Sequence, residues 1–518
     1  MASLPLLPVL PDIAHRRAST LGSACRGAAR RALLLLGTPE ELTNALTPAG
    51  GDALRHWLAH VRTAGSRTPG PLSFTAVIGR QAASLHLAVL EGNATPFDAL
   101  TQAGRLVQSA SQLALDEVVL CGGNDHAREA LWSAWVASRY PPPSLRTTPG
   151  PRRSVEPVAV LVGLGLAMLR QVQAVERGAA LSRWLTALPG NHLTPALYRR
   201  RVAALAKRHG WTCTVQDERA LKRAGAGAFL AVAQGNAAAD ACLLRVRYRP
   251  RGKAPLAQKR GSRALAPVAL VGKGVCFDTG GVNLKPHRSM LDMHTDMAGS
   301  AVTLGTLQAL TELNHGDPVD AWLALAENHL AANAYKPQDV VVAANGTSIQ
   351  VIHTDAEGRM LLADALALAS RTRPALLVDF ATLTGACIGA LTERYAGLFT
   401  NRLGERDALE AVGRLSGERV WCFPLDADFD TELESKVADV IQCPIDGKGD
   451  HIYAARFLQR FVGAGLPWIH LDLAPATRTS GLAHITTDIT GFGVRYATAL
   501  LQDRSLLRSL TATPNAKA

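Results

Sequence analysis

Four long apolar runs do most to limit what this chain can fold into. They are APVALVGKGVCF (Ala266–Phe277), VDAWLALAEN (Val319–Asn328), PALLVDFATLTG (Pro374–Gly385) and PWIHLDLAP (Pro467–Pro475). Their hydrophobic residues are continuous rather than alternating, the pattern of strands buried on both faces. Helical patterns fall between them at Ala298–Leu313, Gly358–Arg371 and His451–Val462. One hairpin interrupts the series: DVVVAA and TSIQVI flank Asn345-Gly346, the strongest short hairpin signal. The pattern predicts an α/β fold with a mostly parallel sheet covered by helices. Ligands in such sheets bind at the carboxyl ends of the strands.

The earlier part of the chain reads as a separate, smaller α/β unit. FTAVIGR and LDEVVLCGG are short strands among Ala-rich helices. A Pro- and Arg-rich loop, Tyr140–Arg153, precedes a short strand and a helical pattern over Leu166–Leu188. We place the domain boundary on that helix, giving an N-terminal α/β domain over 1–170 and a larger C-terminal catalytic domain over 171–518. The longest apolar stretch, Pro157–Leu169, has 13 residues. A membrane span needs roughly 18, so this stretch is read as a strand running into a helix, and no membrane partner is expected.

Lys and Arg number 55 against 43 acids, a mild excess over 518 residues. It permits anionic partners without demanding them. Residues 1–180 hold 17 arginines, no lysine and 12 acids. Arg245–Arg263 has eight basic residues and no acid; it reads as a solvated loop between strands or, alternatively, as a contact for a polyanion such as DNA. Eight scattered cysteines include no CxxC pair, which suits a reducing compartment. The Arg-rich N-terminus is either an ordinary surface segment of a cytoplasmic protein or a mitochondrial or other organellar transit peptide.

Three strand ends carry the residues able to do chemistry. GKGVCFDTGGVNLKP places Lys273 and Asp278 around a buried strand end, with Lys285 after a Gly-Gly turn. MHTDMAG sets Asp296 directly before a helix, and HTDAEGR sets Asp355 and Glu357 two residues apart, on one face of an extended segment. Singly, each has a plain structural reading: helix cap, surface charge, turn or snorkelling lysine. Together, within 87 residues, they would gather four carboxylates in one pocket. Such a group repels by roughly several kcal/mol unless protonated or neutralised by cations. Two divalent metals sharing bridging carboxylates would neutralise it. Lys273 could serve as a neutral amine ligand, leaving Lys285 and Arg359 as cations for developing negative charge.

The segments VGKGVCFDTGGVNLKP, MHTDMAGSA, HTDAEGRMLLADAL and DFATLTGACIGAL resemble the leucine aminopeptidase family of two-metal cytosolic exopeptidases. Weaker likeness runs from LPGNHLTP (Leu188–Pro195) to TGFGVR (Thr490–Arg495). The resemblance implies one tight metal held by Lys273, Asp278, Asp296 and Glu357. It implies a second, exchangeable one on Asp278, Asp355 and Glu357. Zn²⁺ would be accompanied or replaced by Mn²⁺, Mg²⁺ or Co²⁺. Lys285 would polarise the scissile carbonyl, and Arg359 would hold a bicarbonate that relays a proton. Met293, Thr382 and Gly385 would line the side-chain pocket, with Leu383 giving backbone contacts. A homohexamer acting on short peptides completes the expectation.

This chain departs from the family at several points. His353 stands for the hallmark Asn, Met360 for Leu, and Ala298 for a common Gly. GKGDHIYAARFL lacks the usual small residues, so Asp450, His451 and Tyr453 are expected to narrow the side-chain pocket or alter an oligomer contact. Rival readings are an added DNA-binding role, an inactive structural relative and a small-ligand-binding N-terminal module.

Overall fold

The computed structural model describes residues 4–26, 29–46, 71–78, 81–148, 156–250 and 266–512 of the chain. Two large sheets and a third of three strands organise them. The first has six strands, in the order His15–Ala18, Val158–Val162, Glu117–Gly122, Arg31–Gly37, Gln81–Val89 and Leu72–Ile78. Its pairs are parallel except the last. Helices Pro96–Ala110 and Asp125–Ser138 pack on it through buried Ala, Leu, Val and Trp side chains.

The second sheet has eight strands. Its centre is four adjacent parallel strands: Trp468–Asp472, Leu376–Ala381, Val268–Asp278 and Val319–Asn328. These are the four apolar runs of the sequence. Antiparallel partners join outside them, Ala396–Thr400 at one side and Cys242–Tyr248 at the other. Side chains of the central strand alternate between two cores. Val268, Leu270 and Cys276 join the cluster under helix Ala298–Glu312, while Ala269, Val271 and Val275 face helix Glu357–Ser370. The hairpin predicted at Asn345-Gly346 forms, pairing Val340–Val342 with Ser348–Gln350.

Glycines set how closely helix Ala298–Glu312 approaches the sheet. A Cβ on Gly299 would stand 2.1 Å from the Phe380 carbonyl oxygen, and one on Gly272 would stand 2.5 Å from Ser300 Cα. Only bare backbone fits at either place, and this contact brings Asp296, just before the helix, against Lys273 of the strand.

Helix Leu166–Thr186 follows the first sheet and packs on helix Ala298–Glu312. Glu176 on it is completely buried and accepts hydrogen bonds from Arg495 Nη1 at 2.8 Å and His484 Nε2 at 3.0 Å. Arg495 also reaches Glu129 and Ser133 on helix Asp125–Ser138.

The basic stretch at Arg245–Arg263 is corrected in its first part. Residues through Tyr248 are strand, not loop, and Arg245 and Arg249 both pair with the buried Asp320, at 2.5 and 2.6 Å. Residues 251–265 lie outside the described residues, as do 149–155 of the Pro- and Arg-rich loop. Among the described residues, no helix is long and apolar enough to cross a membrane.

Candidate functional site

The four central strands end side by side in polar residues: Asp472, Thr382 just beyond its strand, Asp278 and Asn328. Asp278 Oδ1 accepts from the Gly280 amide and from Asn328 Nδ2, both at 2.8 Å. Gly280 and Gly281 have φ of 83° and 65°, the left-handed region that side chains disfavour. The turn they make returns Lys285 toward the strand it left. Lys285 Nζ stands 2.9 Å from Asp278 Oδ2 and 2.6 Å from Asp355 Oδ1.

Lys273 is buried deeper, at 3% exposure. Its Nζ lies 2.9 Å from Asp296 Oδ1 and 2.9 Å from Glu357 Oε1, and donates to the Thr382 carbonyl at 2.7 Å. Asp296 closes a short 3₁₀ turn and takes a further bond from Thr382 Oγ1 at 2.8 Å. Glu357 begins helix Glu357–Ser370. The segment before it is fixed by Thr354, whose hydroxyl donates to the Gly280 carbonyl at 2.6 Å and whose amide donates to Asn283.

Asp278, Asp355 and Glu357 each offer an oxygen within 4.8 Å of the others. Crowding changes their acidity. Burial and the Asp278 charge raise Glu357 well above the usual carboxylate range. Burial pushes Asp296 up to about 6 despite Lys273, and burial with the Asp278 charge also raises Asp355. Burial would lower the two lysines, but the surrounding carboxylates outweigh it and hold both well above their ordinary values. Asp296 Oδ2 and Glu357 Oε2 are buried without a hydrogen-bond partner. Buried, unpartnered carboxylate oxygens beside a convergent carboxylate trio are a donor set for hard, multivalent cations. The residues present therefore fit divalent metals.

The structure brings together all five predicted metal ligands and Lys285. Met293, Thr382 and Leu383 are half-buried and Gly385 is exposed, at the start of helix Gly385–Leu391. The Leu383 amide is already bonded to Asp472 Oδ1 at 3.1 Å, which leaves its carbonyl for substrate. His353 Nδ1 accepts from the Asp355 amide at 3.2 Å, so it shapes the turn that carries Asp355. Met360 is buried core. Asp450, His451 and Tyr453 all make contacts within the chain. Asp450 Oδ2 lies 2.6 Å from Arg359 Nη2, His451 packs edge-on against Phe423 and Tyr453 against Phe429. Sequence reasoning missed Asn328, Thr354 and Asn283. A polar residue ending an apolar run was the available signal for Asn328.

Residues 180–498 match the family model described as the cytosol aminopeptidase family, catalytic domain. The chain belongs to that family. It is a peptide hydrolase of the metallo-aminopeptidase class. Among its relatives, a probable cytosol aminopeptidase of Parasynechococcus marenigrum (strain WH8102) is 41% identical over 362 residues, 69% of this chain and 72% of that protein. Another, from Acidovorax sp. (strain JS42), is 35% identical over 472 residues, 90% and 91% of the two chains. Of solved structures, the bottromycin maturation enzyme BotP in complex with Mn matches with a TM-score of 0.77 at 30% identity, over 94% of this chain and 100% of that one. A tomato leucine aminopeptidase mutant shares the fold, with a TM-score of 0.79 at 23% identity, over 96% and 98%.

Proposed function

We propose that this cytosol aminopeptidase family member removes N-terminal residues from short peptides using two divalent metals. The observation that carries the reading is the set of buried Lys273, Asp278, Asp296 and Glu357 with half-buried Asp355, crowded around unpartnered oxygens. Lys273, Asp278, Asp296 and Glu357 would hold one ion; Asp278, Asp355 and Glu357 would hold the other. When bound, the ions supply an activated water, Lewis-acid polarisation of the scissile carbonyl and an anchor for the free amino terminus. Mn²⁺ finds support in the BotP complex. Zn²⁺, Mg²⁺ and Co²⁺ remain in the proposal because oxygen-rich ligands accept several ions.

The chain's own groups do the rest. Lys285 is a cation at the mouth of the carboxylate cluster and would face the negative charge that builds on the carbonyl oxygen. The Leu383 carbonyl, with its amide tied back to Asp472, would orient the peptide backbone. Met293, Thr382 and Gly385 would border the space for the first side chain. We extend the reading to a cytoplasmic homohexamer, as the family resemblance implies. Hydrolysis of a panel of aminoacyl-amide substrates tests it. Prolonged chelation should abolish activity and Mn²⁺ or Zn²⁺ should restore it; full activity after exhaustive chelation would refute it.

A further inference from the structure

Arg359 follows Glu357 by two residues on the same helix and is 1% exposed. A guanidinium sealed this deeply requires an anion beside it, because an uncompensated buried charge is strongly disfavoured. The chain supplies that anion itself. Asp450 Oδ2 lies 2.6 Å from Arg359 Nη2, while Nη1 donates to the Gln442 carbonyl at 3.3 Å. Asp450 is the first residue of helix Asp450–Gln459. The chain enters that helix through Gly449 at φ 65°, a turn that glycine makes at least cost. A carboxylate in the first turn also suits the positive end of the helix.

Two atoms of the pair stay unpartnered and sealed from solvent, Arg359 Nε and Asp450 Oδ1. Nε and Nη2 form one edge of the guanidinium, the edge that takes a planar two-oxygen anion. Asp450 now holds half of it. A bicarbonate on Arg359 would have to displace the Asp450 carboxylate or lie against its like charge, so the residues present do not fit that ion.

We infer that Asp450 is the built-in counter-anion of Arg359, a positioning residue that fixes the guanidinium and frees this enzyme from any need for bicarbonate. The inference rests on the aminopeptidase reading only for its kinetic arm. Removing the side chain should open a site for a small carboxylate.

The test uses Mn²⁺-loaded wild type, Asp450→Ala and Asp450→Asn in carbonate-free buffer, titrated with bicarbonate or formate. Turnover is one readout. The other is ¹³C NMR line broadening of labelled bicarbonate and formate without substrate. Wild-type turnover should not respond to either anion, and neither anion should bind. Asp450→Ala should lose about 10- to 100-fold in kcat, bind formate, and recover most of the loss saturably. Asp450→Asn should lose kcat without recovery, since the amide fills the space. Saturable stimulation of the wild type by bicarbonate would overturn the inference. So would an Asp450→Ala protein that neither binds nor responds to formate, and, should that variant fail to fold, an Asp450→Asn protein with undiminished kcat. A wild type without any hydrolysis would defeat the aminopeptidase reading instead, with the binding arm still deciding Asp450.

Discussion

Gly358→Ala places a single methyl group against the site. Gly358 is helical, so alanine alone would favour the helix by about 0.5–1 kcal/mol. A Cβ there would stand 2.5 Å from Lys273 Cε, 2.6 Å from Nζ and 2.8 Å from Cδ. Ordinary carbon contacts begin at about 3.5 Å, so the amine would have to retreat by roughly 1 Å. The colliding atoms belong to the end of a flexible side chain, which can move without disturbing the sheet. That amine is nonetheless held by Asp296, Glu357 and the Thr382 carbonyl. Metal ligands tolerate displacements of about 0.2 Å, and a misplacement near 1 Å costs about 10²-fold in rate. The variant should keep its circular dichroism spectrum and lose the tighter metal with at least that much kcat. Metal content by inductively coupled plasma mass spectrometry, with steady-state kinetics, measures both. A variant with full metal content and near-normal kcat would show that Lys273 is not a ligand.

Lys285→Ala should keep both metals and lose roughly 10²–10³ in kcat with little change in KM, because the charge it faces exists mainly in the transition state; Lys273→Ala should instead weaken the tight metal. Loss of metal from the first and retention in the second would reverse the roles. Glu176→Gln tests the seam between the two sheets. Burial would raise this carboxyl, but His484, Arg495 and Arg183 outweigh it and hold it down to about 2, against 4.5 for an ordinary glutamate. Its ionised form therefore stabilises the fold above about pH 4.5, and that contribution is lost as pH falls toward 2. The glutamine variant should melt earlier at neutral pH, by the roughly 3–5 kcal/mol that breaking a buried pair costs, and lack this part of the acid slope. Parallel melting curves against pH would refute the pairing.

The central sheet was legible because its four strands are buried on both faces and so carry unbroken apolar runs. The antiparallel strand Cys242–Tyr248 was not. Its Arg245 and Arg247 mimic a loop, and only the fold shows that Asp320 of the neighbouring strand neutralises Arg245. The proposed ligands Lys273, Asp278, Asp296, Asp355 and Glu357 were readable as candidates because five ionisable residues crowd within 87 residues around strand ends. Asp450 was visible as a departure but not as a partner of Arg359, because 91 residues separate them. Thr354 and Asn283 hold the ligand loops through bonds between distant segments, which leave no local pattern in the sequence.

Metal stoichiometry tests the central claim most directly. Dialysis against Mn²⁺, followed by metal and protein analysis, should find two ions per chain in the wild type. Glu357→Gln, which removes the carboxylate proposed to bridge them, should hold neither ion tightly and lose activity by several orders of magnitude. A Glu357→Gln protein that retains two ions and turns over normally would contradict the account.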